Sequence, residues 1–178
     1  MAYAVQLYLD APTEALIKQV WDKLAEKGVS DNMVKKGGRP NVGLSVFDDG
    51  DPGEISYRMR QLCQEQRSVE ARFEHLGTYC SRDGVLFLVP VVNPRFFLLQ
   101  STVYKMLNGV ISGLRDGCKP NRFVPHLTVA YGLDKETLSK TVSLFSNKAL
   151  PIVGVFDRIA LIDLTSMEDK CVYTFSKE

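Results

Sequence analysis

The sequence predicts an α+β protein in which mostly antiparallel sheets line a central cleft and the helices pack outside. Two observations lead to this fold class. Apolar residues alternate with polar ones in some segments and recur every three or four residues in others, so strands and helices are both present. The order helix, strand, helix, strand, strand then occurs twice, which predicts a bilobal pseudo-two-fold duplication. The 178 residues suffice for one such domain with a sizeable core.

The first half begins with an alternating strand at residues 4–9. Pro12 and Glu14 then stand in the first turn of a helix, where proline and acidic residues are favoured, and apolar residues recur at helical spacing until Gly28. Turn residues and alternation predict the other elements of this half: a polar loop at 31–38, a strand at 40–47, a turn at 48–54, a helix around 55–63, and strands at 69–79 and 85–92 joined by a turn at 81–84.

The second half opens at Asn93-Pro94, because proline suits the first position of a helix. The apolar pattern of that helix continues to Val110. The same kinds of signal predict the remaining elements: a loop at 117–123, a strand at 123–131, a helix at 134–145, a strand at 153–164, a turn at 165–170 and a last strand at 171–175.

Residue-level similarities support two repeats, at about 1–92 and 93–178. Residues 40–44 (PNVGL) correspond to 125–129 (PHLTV), and residues 73–76 (FEHL) correspond to 156–159 (FDRI), with offsets of 85 and 83. Under a pseudo-two-fold axis, equivalent strands face each other. We therefore expect His126-Leu127-Thr128 to face Asn41-Val42-Gly43 across the cleft, where small ligands usually bind.

His126 and Thr128 are the first candidates for chemistry. On a strand, residues two apart point to the same face, so an imidazole and a hydroxyl lie side by side and suit a phosphate-like group. Taken alone, a His-x-Thr pair is more often two polar residues on an ordinary strand. Its place on one wall of a duplicated cleft is what favours the functional interpretation.

The duplicated order and the sequence PHLTV at 125–129 resemble the two-histidine (2H) phosphoesterase superfamily, in its branch of RNA 2′,3′-cyclic phosphodiesterases known as 2′-5′ RNA ligases. The resemblance covers nearly the whole chain. It implies that each half supplies one His-x-Thr/Ser motif, with the histidines as general base and general acid and the hydroxyls holding phosphate oxygens. It also implies a nucleotide or an RNA terminus as the ligand, and no metal or other cofactor.

The first motif departs from the family pattern, because Asn41 and Gly43 stand where a histidine and a hydroxyl residue are expected. An amide cannot transfer protons as imidazole does, so Asn41 is assigned to substrate binding. His75 shares a face with Phe73 by alternation and could reach the cleft, so it is a further candidate for substrate binding, although a partly buried histidine bonded to a neighbour is the more common interpretation.

Cationic side chains precede both motifs and could place positive charge at the mouths of the cleft, and we assign Arg39 and Arg122 to substrate binding. Solvated loop charges are the alternative explanation for these residues and for their neighbours Lys35, Lys36 and Lys119.

Composition excludes several other classes of protein. The formal net charge is +1, so any anion site must be local. The longest apolar run, at 85–92, is too short to span a membrane, and the first ten residues do not form a signal peptide. The four cysteines are too widely spaced for a metal or redox motif and are expected to be free thiols in a reducing cytoplasm, in a monomeric protein.

Three hypotheses follow. The first is a divergent phosphoesterase acting on a 2′,3′-cyclic nucleotide or an RNA-end phosphodiester, in which His126 is the remaining acid or base and Thr128 binds phosphate oxygen. The second is a catalytically inactive module of the same fold that binds a nucleotide or an RNA end. The third is a protein-interaction module with a vestigial cleft.

Overall fold

An open antiparallel sheet of seven strands forms the centre of the molecule. The structure is a computed structural model that describes residues 2–79, 84–145 and 150–176. The elements in chain order are β1 (Tyr3–Leu9), α1 (Ala11–Glu26), α2 (Asn32–Lys36), β2 (Asn41–Phe47), β3 (Asp49–Gly50), α3 (Pro52–Glu65), β4 (Val69–Tyr79), β5 (Val85–Pro90), α4 (Pro94–Leu107), β6 (Ile111–Ser112), β7 (Leu127–Ala130), α5 (Lys135–Phe145), β8 (Ile152–Asp163) and β9 (Glu168–Thr174).

The strand order is symmetric about the centre of the sheet. The strands run β2-β1-β8-β4-β5-β7, with β9 added to β8, and every ladder between them is antiparallel. Strands β2, β1 and β8 thus form one lobe, and β7, β5 and β4 form the other in the same order. The predicted class of helices with antiparallel sheet is confirmed.

The registers of the ladders agree with the predicted equivalence of the two halves. In the central ladder Val69 pairs with Phe156 and Phe73 pairs with Ile152, so the ladder is symmetric at an offset of 83. At the outer edges Gly43 pairs with β1 in one lobe, and Thr128 pairs with β5 in the other. The duplication, with repeats at about 1–92 and 93–178, remains a prediction that these registers favour.

Several elements differ from the sequence prediction. The predicted loop at 31–38 contains the short helix α2, which ends at Gly37 in a left-handed conformation with φ of 65°. The predicted turn at 48–54 contains β3, which pairs with β6. Residues 81–83 of another predicted turn lie outside the described residues.

The strand predicted at 123–131 is shorter in the structure. Only Leu127–Ala130 forms β7, and His126 lies immediately before it. Pro125 has no N–H to donate to a ladder, and the partner strand β5 ends at Pro90. The functional segment therefore enters the sheet from an extended loop.

Alternation along β1 divides the hydrophobic core from the cleft. Val5, Leu7 and Leu9 belong to the core cluster, whereas Gln6 and Tyr8 line a cavity on the opposite face. Full burial of each aliphatic side chain stabilises the fold by about 1.5–3 kcal/mol. One strand thus anchors the lobe with one face and supplies polar groups to the cleft with the other.

Two further expectations concern the cysteines and membranes. Cys63, Cys118 and Cys171 are free thiols, as predicted, and Cys80 lies outside the described residues. Among the described residues, no helix combines the length and the apolar character that a bilayer crossing requires.

Candidate functional site

A cavity of about 930 Å³ brings the two predicted motif positions together. His126 and Thr128 line it from the β7 lobe, and Asn41 and Gly43 line it from the β2 lobe. The volume lies near the upper end of the range for small-molecule sites, so a nucleotide has room in it. Within the described ranges, no group of three His, Cys, Asp or Glu residues is arranged to hold a metal ion.

The ring of His126 is oriented by the backbone. Its Nδ1 lies 2.9 Å from the carbonyl oxygen of Val124. A carbonyl oxygen can only accept, so Nδ1 carries the proton in this hydrogen bond. Nε2 is then the unprotonated nitrogen of the neutral ring and has no hydrogen-bond partner among the described residues. This arrangement leaves Nε2 available as a base, as the chemistry of a general base requires.

Two aromatic rings hold the imidazole from the side. The centroid of the Phe87 ring is 5.2 Å from that of His126, and Tyr79 meets His126 edge to face at 5.5 Å. The Tyr79 hydroxyl oxygen lies 3.4 Å from Nδ1. Burial raises the pKa of the Tyr79 phenol, which keeps it protonated and neutral beside the imidazole. These contacts restrict the rotation of the ring.

Gly77 provides the space in which the Phe87 ring lies. A Cβ at this position would come within 2.2 Å of the ring, although Gly77 has ordinary strand geometry. We expect Gly77→Ala to destabilise the fold by about 1–3 kcal/mol, since the buried Phe87 ring must move. Urea denaturation measures this loss. An unchanged midpoint would contradict the view that Gly77 makes room for the Phe87 ring. Gly109→Ala is the comparison, because Gly109 has open space around it but a positive φ, so its substitution measures backbone strain without steric crowding.

Thr128, Arg115 and Arg122 contribute a hydroxyl donor and two cations to the cavity that His126 also lines. We call these four residues, His126 included, the donor wall. The backbone N–H of Arg115 donates to the Val46 carbonyl oxygen at 2.9 Å, so this end of the wall lies against β2. Arg122 is paired with Asp116. Arg115, which the sequence analysis missed because it lies outside the motifs, has no acidic partner among the described residues. Arg115 is therefore the arginine of this wall whose charge is available to a phosphate.

Arg39 lines the cavity, but its guanidinium is engaged with the protein. It donates to Glu14 with an Nη2–Oε2 distance of 2.7 Å, and it lies 4.5 Å from the centroid of the Tyr8 ring. Burial alone would raise the pKa of Glu14, but hydrogen bonds from Arg39 and Lys18 lower it below its usual value. Arg39 was assigned to substrate binding, but its guanidinium is held in an ion pair with Glu14 that was not predicted from the sequence.

The lobe that contains β1 and β2 presents hydrogen-bond acceptors to the cavity. The Asn41 Nδ2 donates one hydrogen to the Arg39 carbonyl oxygen at 2.8 Å, which orients the amide, and Oδ1 has no hydrogen-bond partner among the described residues. At Gly43 an added Cβ would have no neighbour within 4 Å, so the missing side chain leaves open space. Gln6, Asn41 and Asp169 line the cavity from this lobe, and we call them the acceptor wall.

Tyr8 and Asp169 form a hydrogen-bonded pair in the lining of the cavity. The Tyr8 hydroxyl donates to Asp169 Oδ1 at 2.5 Å. Burial, reinforced by the Asp169 carboxylate, raises the pKa of Tyr8 far above its usual range. The phenol therefore stays protonated and donates to the Asp169 side chain. This pair was not predicted from the sequence, because its members are 161 residues apart and Asp169 lay in a predicted turn.

His75 does not join the site. It is exposed and is absent from the cavity lining. The prediction that it shares the inward face of Phe73 used strict alternation, but the β4–β5 register shifts between Phe73 and His75. Lys36 reaches the cavity, whereas Lys35 and Lys119 pair with nearby aspartates outside it.

Comparisons with known proteins agree with this geometry. The family model of the 2′-5′ RNA ligase superfamily matches residues 41–167, which is more than half of the chain. No curated protein matches the chain in sequence.

Solved structures with this fold include two nucleotide complexes. One is Escherichia coli LigT with 3′-AMP, at a TM-score of 0.55 and 13% identity, with 99% of each chain covered. The other is Kluyveromyces marxianus Usb1 with uridine monophosphate, at a TM-score of 0.50 and 14% identity, with 98% of this chain and 96% of that chain covered. Identities this low establish the fold alone.

Proposed function

This chain belongs to the 2′-5′ RNA ligase superfamily, and we propose that its cavity binds a nucleotide or an RNA terminus with the phosphate against the donor wall. The observation that carries the proposal is the pairing of a free His126 Nε2 with the Thr128 hydroxyl in one cavity. Arg115 adds an available positive charge to the same cavity. The nucleotides bound by LigT and Usb1, which share the fold, support the same class of ligand.

The donor wall also supports slow hydrolysis of a 2′,3′-cyclic phosphate. His126 Nε2 takes a proton from water while the water oxygen forms a bond to phosphorus. The bond from phosphorus to one ribose oxygen breaks, and Thr128 and Arg115 stabilise the charge that develops on the phosphate oxygens. Asn41 has no transferable proton, so the leaving ribose oxygen takes its proton from solvent.

A second candidate function is binding without turnover. The observation that favours it is the Asn41 amide, which is anchored on the Arg39 carbonyl at the position where the family pattern has a second histidine. Loss of one acid or base typically lowers a rate by about 10²- to 10⁴-fold. The same cavity would then serve as a nucleotide or RNA-end binding site.

Trp21, the single tryptophan of the chain, lines the cavity and reports on occupancy. We expect adenosine 2′,3′-cyclic phosphate and 3′-AMP to change its fluorescence saturably and to raise the melting temperature. Chromatography of the cyclic nucleotide after long incubation separates the two candidates, because only the phosphoesterase produces a monophosphate. No fluorescence change and no thermal shift at about 1 mM ligand would contradict both, since enzyme sites rarely bind more weakly.

A further inference from the structure

Gln6 is a buried polar residue whose hydrogen bonds the protein does not complete. Its side chain lines the cavity and is 9% exposed, and its Oε1 has no hydrogen-bond partner among the described residues. An unsatisfied buried acceptor is costly, so native proteins seldom retain one without an occupant that donates to it. We therefore expect a molecule bound in the cavity to donate a hydrogen bond to Gln6 Oε1.

In the sheet, Gln6 lies beside a residue that has no side chain. Gln6 pairs with Gly43 in the β1–β2 ladder, just as Phe87 pairs with Thr128 in the β5–β7 ladder. One lobe thus has an aromatic ring beside a hydroxyl, whereas the other has an amide beside a glycine. Because Gly43 has open space where a side chain would be, ligand atoms can come close to the Gln6 amide.

The other members of the acceptor wall offer the same chemistry. Asn41 Oδ1 has no partner among the described residues, since the amide is oriented by the bond from Nδ2 to the Arg39 carbonyl, and the Asp169 carboxylate can only accept. An ionised phosphate ester carries acceptors and no donors, so it offers no hydrogen to the Asp169 carboxylate or to the free amide oxygens of this wall. The two walls are therefore suited to different parts of one ligand.

We propose that the acceptor wall recognises the hydrogen-bond donors of a nucleoside, its ribose hydroxyls or base amino group, and that Gln6 determines this specificity. The inference rests on the proposed function, since it assumes that the phosphate of the same ligand lies on the donor wall. In this account, the wall that lacks the first motif selects the nucleoside.

The test compares Gln6→Met, which keeps the length of the side chain and removes the amide, with the wild-type protein. Binding of 3′-AMP, measured by Trp21 fluorescence, weakens about tenfold in Gln6→Met, while binding of inorganic phosphate is unchanged. Ser45→Ala is the matched control, because Ser45 Oγ is also buried without a partner among the described residues but does not line the cavity. The melting temperature of Gln6→Met without ligand stays the same or rises, as an unsatisfied acceptor has been removed.

Two ligand analogues identify the donor group and need no variant. The 2′-deoxyadenosine 3′-phosphate lacks a ribose hydroxyl, and purine riboside 3′-phosphate lacks the amino group. We expect one of them to bind the wild-type protein about as weakly as 3′-AMP binds Gln6→Met. Equal affinity of the wild-type protein for both analogues and 3′-AMP would overturn the inference, whether or not Gln6→Met folds.

The remaining outcomes separate this inference from the proposed function. If Gln6→Met binds 3′-AMP as tightly as the wild-type protein does, the inference fails and the nucleotide site stands. Equal weakening of phosphate and 3′-AMP binding also overturns it, because Gln6 would then contact phosphate. If the wild-type protein binds no nucleotide, both the inference and the proposed function are wrong.

Discussion

Replacing His126 with alanine is expected to lower the rate of 2′,3′-cyclic phosphate hydrolysis by about 10²- to 10⁴-fold, which is the usual contribution of one general base. The variant loses the free Nε2 that accepts the proton of water. Thr128 and Arg115 remain, so the affinity for 3′-AMP falls much less than the rate. Monophosphate production and Trp21 fluorescence measure the two effects separately.

His75→Ala is the matched control for this experiment. It removes the other histidine of the chain, which is exposed and lies outside the cavity lining. Its rate should equal that of the wild-type protein. Equal rates for His126→Ala and the wild-type protein would show that any observed hydrolysis does not depend on His126.

The double variant Asn41→His/Gly43→Thr is expected to raise the rate of hydrolysis by about 10²-fold or more. It supplies a second imidazole that can protonate the leaving ribose oxygen, and a second hydroxyl that can bind phosphate oxygen. Open space around the Cβ position of Gly43 allows the threonine to be accommodated. Initial rates with adenosine 2′,3′-cyclic phosphate measure the gain.

Asn41→Gln/Gly43→Thr is the control for this double variant, because it adds the hydroxyl but no proton-transfer group. It should show at most a small part of the gain. If the double variant folds and binds 3′-AMP but hydrolyses the cyclic nucleotide no faster than the wild-type protein, the lack of a transferable proton at Asn41 is not what limits the rate.

The sequence predicted the placement of the two motifs because their positions depend on local and repeated patterns. Alternation puts His126 and Thr128 on one face, and the offset of 85 residues relates them to Asn41 and Gly43. These patterns survive in the structure because the edge ladders of the two lobes have equivalent registers. The general fold and the location of the candidate site were therefore predictable.

Features that depend on long-range contacts were not predictable in this way. The engagement of Arg39 requires Glu14 on another element, and the Tyr8–Asp169 pair connects β1 with β9. The register shift that removes His75 from the inward face leaves no clear mark in the sequence. Gln6 looked like an ordinary polar residue in an alternating strand until the structure placed it beside Gly43.

The central claim is that a nucleotide phosphate lies against His126, and the two histidines of the chain allow a direct test by NMR. Imidazole ¹⁵N spectra of the wild-type protein contain resonances from His126 and His75, and His126→Ala assigns them. The account predicts that the free His126 ring is protonated on Nδ1, and that saturating 3′-AMP shifts its Nε2 resonance while His75 stays unchanged. An unchanged His126 resonance at saturation, or a shift of His75 alone, would contradict it.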